Sequence, residues 1–379
     1  MTQDLGTRPG AFPYAGGMKL HMRHRLILTA ALATGAVVIA AATAMRSGEA
    51  AAQPMVAQPA PKHLSDTGLY VAGSVREVRP ENRPFSPQYP LWSDGATKRR
   101  WIYLPPGTAI DAARPDAWVF PPGTKLWKEF SHGRPIETRY IERLADGTWR
   151  FAAYVWNEEG TDAVLASADG LTVTLGSAPN GRYAIPSEAD CRACHEGAAV
   201  PVLGASALQL SPLRDPLAPH AEPRKDGEVD LRELVELGWL RNLPQSLIEH
   251  PPRIQSSTSI ERAALGYLHG NCGHCHNDAG AQPPVDLLLA HDAAATGTDK
   301  VLRSLVGARS RYRAPGLPKA APLVDPGHPD ASVLVARMQS RHPQVQMPPL
   351  GTQIADVEAL ALVERWISEL PTTRKEQKP

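Results

Sequence analysis

The sequence predicts an α+β chain: an N-terminal, mostly antiparallel β domain, then a C-terminal all-α domain. Three observations predict it. Aromatic and β-branched runs closed by Pro-Gly and Asp-Gly turns crowd residues 63 to about 186. From Thr258 apolar residues recur at helical spacing. All four cysteines fall in two Cys-x-x-Cys-His pentads, "CRACH" at 191–195 closing the predicted β domain and "CGHCH" at 272–276 ending the leading helix of the predicted α domain. With 379 residues the chain has room for two domains and appendages. Its 37 prolines and 30 glycines favour short elements over one long bundle. A net charge of +1 gives no nucleic-acid footprint.

Residues 1–52 read as a targeting segment. Lys19, Arg23, His24 and Arg25 form a basic region ahead of the uncharged stretch 26–44. Ala50 and Ala52 then offer a cleavage site before Gln53. Nineteen apolar residues also just suffice for a retained membrane anchor. Both readings export the rest of the chain, because the basic residues stay inside. The expected place is the periplasm, with the inner membrane as tether if residues 26–44 are kept. Residues 53–62 are a Pro/Ala/Gln linker.

Residues 63–197 make the expected β domain. "RRWIYLPPGT" and "WVFPPGTKLWKEF" are strands ended by Pro-Gly turns. "IETRYIERLADGTWRFAAYVW" places two strands around Asp146-Gly147, and "AVLASADGLTVTLG" repeats the pattern around Asp169-Gly170. Lys98, Arg99 and Arg100 are expected to be exposed, steering an acidic partner or guarding an edge. Ser187 with Asp190 resembles a capping box opening a short helix over the first pentad. Residues 198–257 connect the two halves and hold one helix, "DLRELVELGWL". Residues 258–370 begin with a helix running into the second pentad and end with another, in which Val363, Trp366, Ile367 and Leu370 form one stripe. Residues 371–379 are a tail.

The pentads carry the chemistry. Two thiols three positions apart share one face of a helical turn, so they reach two vinyl groups on one porphyrin edge, and the next histidine projects over the ring as iron ligand. Zinc would want two more ligands at finger-like spacing beside each pair. A thioredoxin-type pair would leave both histidines unexplained. The expected cofactors are two covalently attached haem c groups: Cys191 and Cys194 with His195, and Cys272 and Cys275 with His276. His274 is expected to be a solvated spacer.

A helix ending in the pentad, a Met-Pro loop and a terminal amphipathic helix resemble class I cytochrome c over residues 258–370. The resemblance implies Met347 as sixth ligand of the second haem. It also implies that the loop at Pro283 or Pro284 supplies a carbonyl to the His276 ring, fixing its orientation. Met338, in a helical pattern, is the competitor and reads as core.

The first pentad has no methionine of its own domain. His132, His220, His250, His269 or a lysine could cap its iron, or the distal face is open. "FPPGTKLWKEF" (120–130), a long hairpin and a closing pentad resemble the β-sheet cytochromes of the c′-beta and hydroxylamine-oxidising group over about residues 117–197, which implies an open distal face. Lys128 matches that group's lysine in position, although an exposed strand lysine is the plainer expectation. "PLWSDGATKRRWIYLPPGT", "YVWN", "IPSEADCRACH", "YLHGNCGHCH" and "MPPLG" together resemble a group of exported bacterial dihaem c-type cytochromes.

The expected function is electron transfer between redox partners such as a dehydrogenase, an oxidase or another cytochrome, without nucleic acid. No acid/base constellation stands out, so no catalytic residue is named. The alternative is a haem enzyme or sensor whose first haem takes peroxide, NO or a hydroxylamine-like ligand, the second relaying electrons. A third reading makes the β domain a docking module.

Overall fold

A computed structural model describes residues 59–279, 286–294 and 298–372. The targeting segment, most of the 53–62 linker, Pro283, Pro284 and most of the tail lie outside the described residues. The strands are β1 (Arg83–Pro84), β2 (Thr97–Tyr103), β3 (Ile110–Asp111), β4 (Lys125–Ser131), β5 (Pro135–Arg143), β6 (Trp149–Trp156), β7 (Ala163–Leu165), β8 (Leu171–Thr174), β9 (Arg182–Ile185) and β10 (Leu240–Arg241). The helices are α1 (Glu188–His195), α2 (Leu231–Glu236), α3 (Gln245–Glu249), α4 (Ser259–Cys272), α5 (Asp299–Leu305), α6 (Val333–Gln339) and α7 (Val357–Glu369). Among the described residues the fold is therefore mixed α and β, with a large antiparallel sheet at its middle and short helices around it.

That sheet has six strands in the order β1-β2-β4-β5-β6-β7. The Asp146-Gly147 turn forms as its sequence predicts: Gly147 takes φ +83, and the Asp146 carboxylate accepts from the Thr148 N–H at 2.9 Å. The second Asp-Gly turn behaves differently. Gly170 turns at φ +73, but β8 leaves the main sheet and pairs with β9. A Cβ on Gly170 would sit 2.7 Å from the Ile185 carbonyl, so glycine permits the close crossing that this exchange of partners needs.

Alternation along the strands gives the sheet two unlike faces. Trp101, Trp127 and Tyr140 stand opposite one another on one face. With Tyr154 they pack under Leu64, Leu69 and Tyr70. The other face carries three rows. Ile102, Leu126, Ile141 and Phe151 make an apolar row. Two residues along lie Arg100, Lys128, Arg139 and Ala153, and beyond them Lys98, Phe130, Glu137 and Val155. This second face looks toward the two pentads.

The described residues all fall in one compact unit that begins at Pro59. A segment ahead of β2 joins the sheet to α4. Tyr89 lies so close to α4 that a Cβ on Gly266 would meet its ring at 2.0 Å and one on Gly270 its carbonyl at 2.4 Å. Asn271 completes the seam: its Oδ1 accepts from the Trp92 N–H at 2.7 Å and its Nδ2 donates to the Pro90 carbonyl at 3.3 Å. On its other side α4 meets α7, where Val363, Trp366 and Ile367 are buried and Trp366 donates to Glu261 at 3.5 Å. The remaining C-terminal residues hold short helices and two isolated bridges, Val306–Val324 and Arg309–Pro322.

Candidate functional site

Each pentad is delivered by local capping. Ser187 and Asp190 close the capping box that opens α1, satisfying two of the free N–H groups of its first turn. α1 then packs on β6, with the His195 ring 5.3 Å from Phe151. Thr258 caps α4 by accepting from the Glu261 N–H. α4 stops at Cys272, one turn short of the expected helix. Cys275 and His276 follow in turns whose N–H groups both donate to the Cys272 carbonyl, at 3.1 and 2.9 Å.

Both pentads open on the same cavity, of about 740 Å³, within the range of small-molecule and cofactor pockets. Cys191, Cys194 and His195 line it, as do Cys272, Cys275 and His276. All four cysteines are unbonded to one another. Burial pushes the Cys191 thiol up to about 11 and the Cys272 thiol up to about 12. The pentads also touch through their trailing loops: Asn277 donates from Nδ2 to the Gly197 carbonyl at 2.9 Å and to that of Gly273 at 3.1 Å. A Cβ on Gly197 would come within 3.1 Å of the His274 carbonyl.

The histidines are arranged for ligation. His195 Nδ1 lies 2.6 Å from the Pro201 carbonyl. That contact makes Nδ1 the protonated nitrogen and leaves Nε2 its lone pair. Burial lowers the His195 pKa to about 4, so the ring is neutral. His276 Nδ1 is buried without a partner among the described residues. The loop expected to supply a carbonyl to it, at Pro283 or Pro284, lies outside them. Met347 stands in the cavity wall, whereas Met338 is buried in the core beside Ala359 and Val363. These features fit haem c: paired thiols three apart, a neutral imidazole beyond each pair, a thioether on the wall, and one cavity on which both pentads open. Among the described residues no three His, Cys, Asp or Glu side chains converge as a cage for a bare metal ion.

Several side chains stand elsewhere than the sequence led us to expect. His274 is half-buried in the cavity wall, with Nδ1 unpartnered among the described residues. Ending α4 at Cys272 turns it inward, and burial lowers its pKa to about 4. Lys98 and Arg100 are each only 8% exposed, facing the cavity side of β2; Arg99 points out and pairs with Glu129 at 2.8 Å. Lys128 is likewise in the cavity wall rather than on a free strand surface. None of His132, His220, His250 and His269 lines the cavity. His220 bonds the Asp356 carboxylate at 2.9 Å, and His269 Nδ1 accepts from the His291 N–H at 3.0 Å.

Sequence reasoning did not single out Arg139, Asn277 or the Pro87–Trp92 segment as parts of the site. Arg139 and Glu137 are two apart on one strand, a spacing that puts both on one face; that signal was there to be read. No protein-family model matches the chain, and neither the curated proteins nor the solved structures contain a match. No described helix is long and apolar enough to cross a membrane.

Proposed function

We propose that the chain is an exported electron-transfer protein carrying two covalently attached haem c groups, of the dihaem c-type kind that its motifs resemble. The observation that carries this reading is the sharing of one cavity by both Cys-x-x-Cys-His pentads and Met347. Cys191 and Cys194 tether the first haem with His195 as ligand. Cys272 and Cys275 tether the second, with His276 and Met347 as its ligands. Bound there, haem iron supplies one-electron chemistry, and a thioether ligand raises its potential. The protein's own part is to hold the His195 imidazole in one tautomer against the Pro201 carbonyl and to keep both rings neutral by burial. The packing of α4 on α7, with the Met347 loop ahead of α7, supports a class I cytochrome c arrangement for residues 258–370. Residues 26–44 export the chain to the periplasm or hold it at the inner membrane. The partners are redox proteins that load one haem and unload the other.

The protein made in a cell able to attach haem c carries two haems per chain by pyridine haemochrome assay and intact mass. Cys191→Ala with Cys194→Ala removes one, and Cys272→Ala with Cys275→Ala the other. A purified, folded chain with no haem refutes the reading. One observation favours the enzyme or sensor alternative for the first haem over a histidine cap: none of the four candidate histidines lines the cavity, which leaves Lys128 as the candidate cap on its wall. Reduced protein that binds CO at one haem of the two supports that alternative, and protein that binds none supports a pure carrier.

A further inference from the structure

The row Arg100–Lys128–Arg139 is unusual for a sheet interior. The three cations stand directly opposite one another on β2, β4 and β5, so like charges are neighbours with no intervening residue. Like charges in such positions destabilise a sheet. All three line the cavity. Only Arg139 is neutralised: it pairs with Glu137 at 2.7 Å and lies over the Phe130 ring at 4.4 Å. Tyr183 donates to the same carboxylate at 2.7 Å, completing that pair's shell. The Lys128 ammonium has the Phe130 ring at 4.8 Å and no hydrogen bond or ion pair among the described residues. The Arg100 guanidinium, 8% exposed, has none either. The carboxylates that act electrostatically on Arg100 are committed elsewhere. Glu228 accepts from Ser86 at 2.8 Å, and Glu222 pairs with Lys225 at 2.8 Å.

A buried guanidinium and a half-buried ammonium, with eight N–H donors between them, line a cavity and are left without acceptors among the described residues, so they call for an anionic group. We infer that Arg100 and Lys128 form a binding site for a carboxylate or small oxyanion at the sheet wall of the cavity. The inference rests on the proposed haem reading only for one of its two sources. The anion is either a propionate of the first haem or a free oxyanion that enters beside it. The surroundings fit either source. Lys128 acts electrostatically on Cys194 and His195 and also on His274, so the site lies beside the first pentad and faces the inner histidine of the second. Lys98 and Arg139 add positive field around Lys128, and Arg214 around Arg100; Glu137 opposes the first and Glu222 and Glu228 the second. Burial also lowers the pKa of Lys128 well below its ordinary value. An anion reverses that cost.

The test uses the isolated holoprotein with Arg100→Leu and Lys128→Met, which remove charge and keep bulk. Folding and haem content of each variant are checked at once, so that only folded, loaded protein is compared. Sodium nitrite and sodium sulfate are titrated calorimetrically, and the two midpoint potentials are measured from pH 5 to 8. If a free anion is the ligand, nitrite or sulfate binds at one site per chain, and each variant weakens binding at least 10-fold. If a propionate is the ligand, no free anion binds. One potential, flat across this range in the parent, then becomes pH-dependent in both variants, because a buried carboxyl stripped of its cation titrates higher. No anion binding together with unchanged pH profiles overturns the inference. A parent chain without haem refutes the haem reading instead, and the calorimetric arm still reports on Arg100 and Lys128.

Discussion

The Asn277 carboxamide donates to the Gly197 carbonyl across 2.9 Å, joining the loop behind one pentad to the loop behind the other. Asn277 is nearly buried and also serves carbonyls of its own turn, at Gly273 and His274. Asn277→Ala leaves those acceptors without a donor and is expected to cost about 1–3 kcal/mol. Asn277→Asp, which sets a carboxylate against the carbonyls, costs more. Urea midpoints at constant m-value check both. An alanine variant as stable as the parent would remove this tie from the account.

On the proposed haem reading, Met347 and Met338 have different roles. Met347→Ala is expected to turn one haem high-spin and lower its potential, with little change in unfolding. Met338→Ala is expected to leave the spectrum unchanged and cost about 2–5 kcal/mol, the usual range for a buried methionine. Ferric absorption spectra and thermal melts of the two variants decide it. The reverse pattern would move the sixth ligand into α6.

The Tyr89 seam predicts an asymmetry. Gly266→Ala clashes with the Tyr89 ring, and Gly270→Ala with the Tyr89 backbone carbonyl. Each destabilises the parent, by about 1–3 kcal/mol or more for forced overpacking. In a Tyr89→Ala background the Gly266→Ala penalty disappears and the Gly270→Ala penalty stays. Melting temperatures of the four combinations measure this, and equal rescue at both glycines would place the contact elsewhere.

His269 and His291 set an acid limit. Burial lowers the first to about 4 and the second to about 3, each against an ordinary 6.5. His269 Nδ1 must also stay unprotonated to accept from the His291 N–H. The folded state thus binds fewer protons than the unfolded chain below pH 6.5. Stability is full above that pH and falls as pH drops toward 4, by up to about 1.4 kcal/mol per pH unit for each histidine. Denaturation midpoints across pH 4–7 show the slope, and His291→Phe is expected to reduce it.

What could be read in the sequence was local. Ser187 and Asp190 announced α1, Asp146-Gly147 announced its hairpin, and the Val363–Trp366–Ile367 stripe announced the buried side of α7. Each is decided by residues a few positions apart. The cationic row was not legible, because "TKRR" on an isolated strand is what a solvated edge also looks like. Only the pairing of Arg100 with Lys128 and of Lys128 with Arg139 shows which face is inside. Gly170 shows the same limit: the turn was local, but the strand that β8 would choose was not.

The seat for Trp92 has a consequence for biosynthesis. Asn271, which holds its backbone, lies 179 residues further along the chain. A chain that emerges from its N-terminus therefore displays the cavity wall long before the helix that closes it exists. The first pair of thiols, at 191 and 194, is made inside that interval, ahead of the helix, and those at 272 and 275 arrive only as the closing helix does. In a chain that folds from its N-terminus, the first pair of thiols is thus presented before the helix that covers it, and the second pair together with that helix.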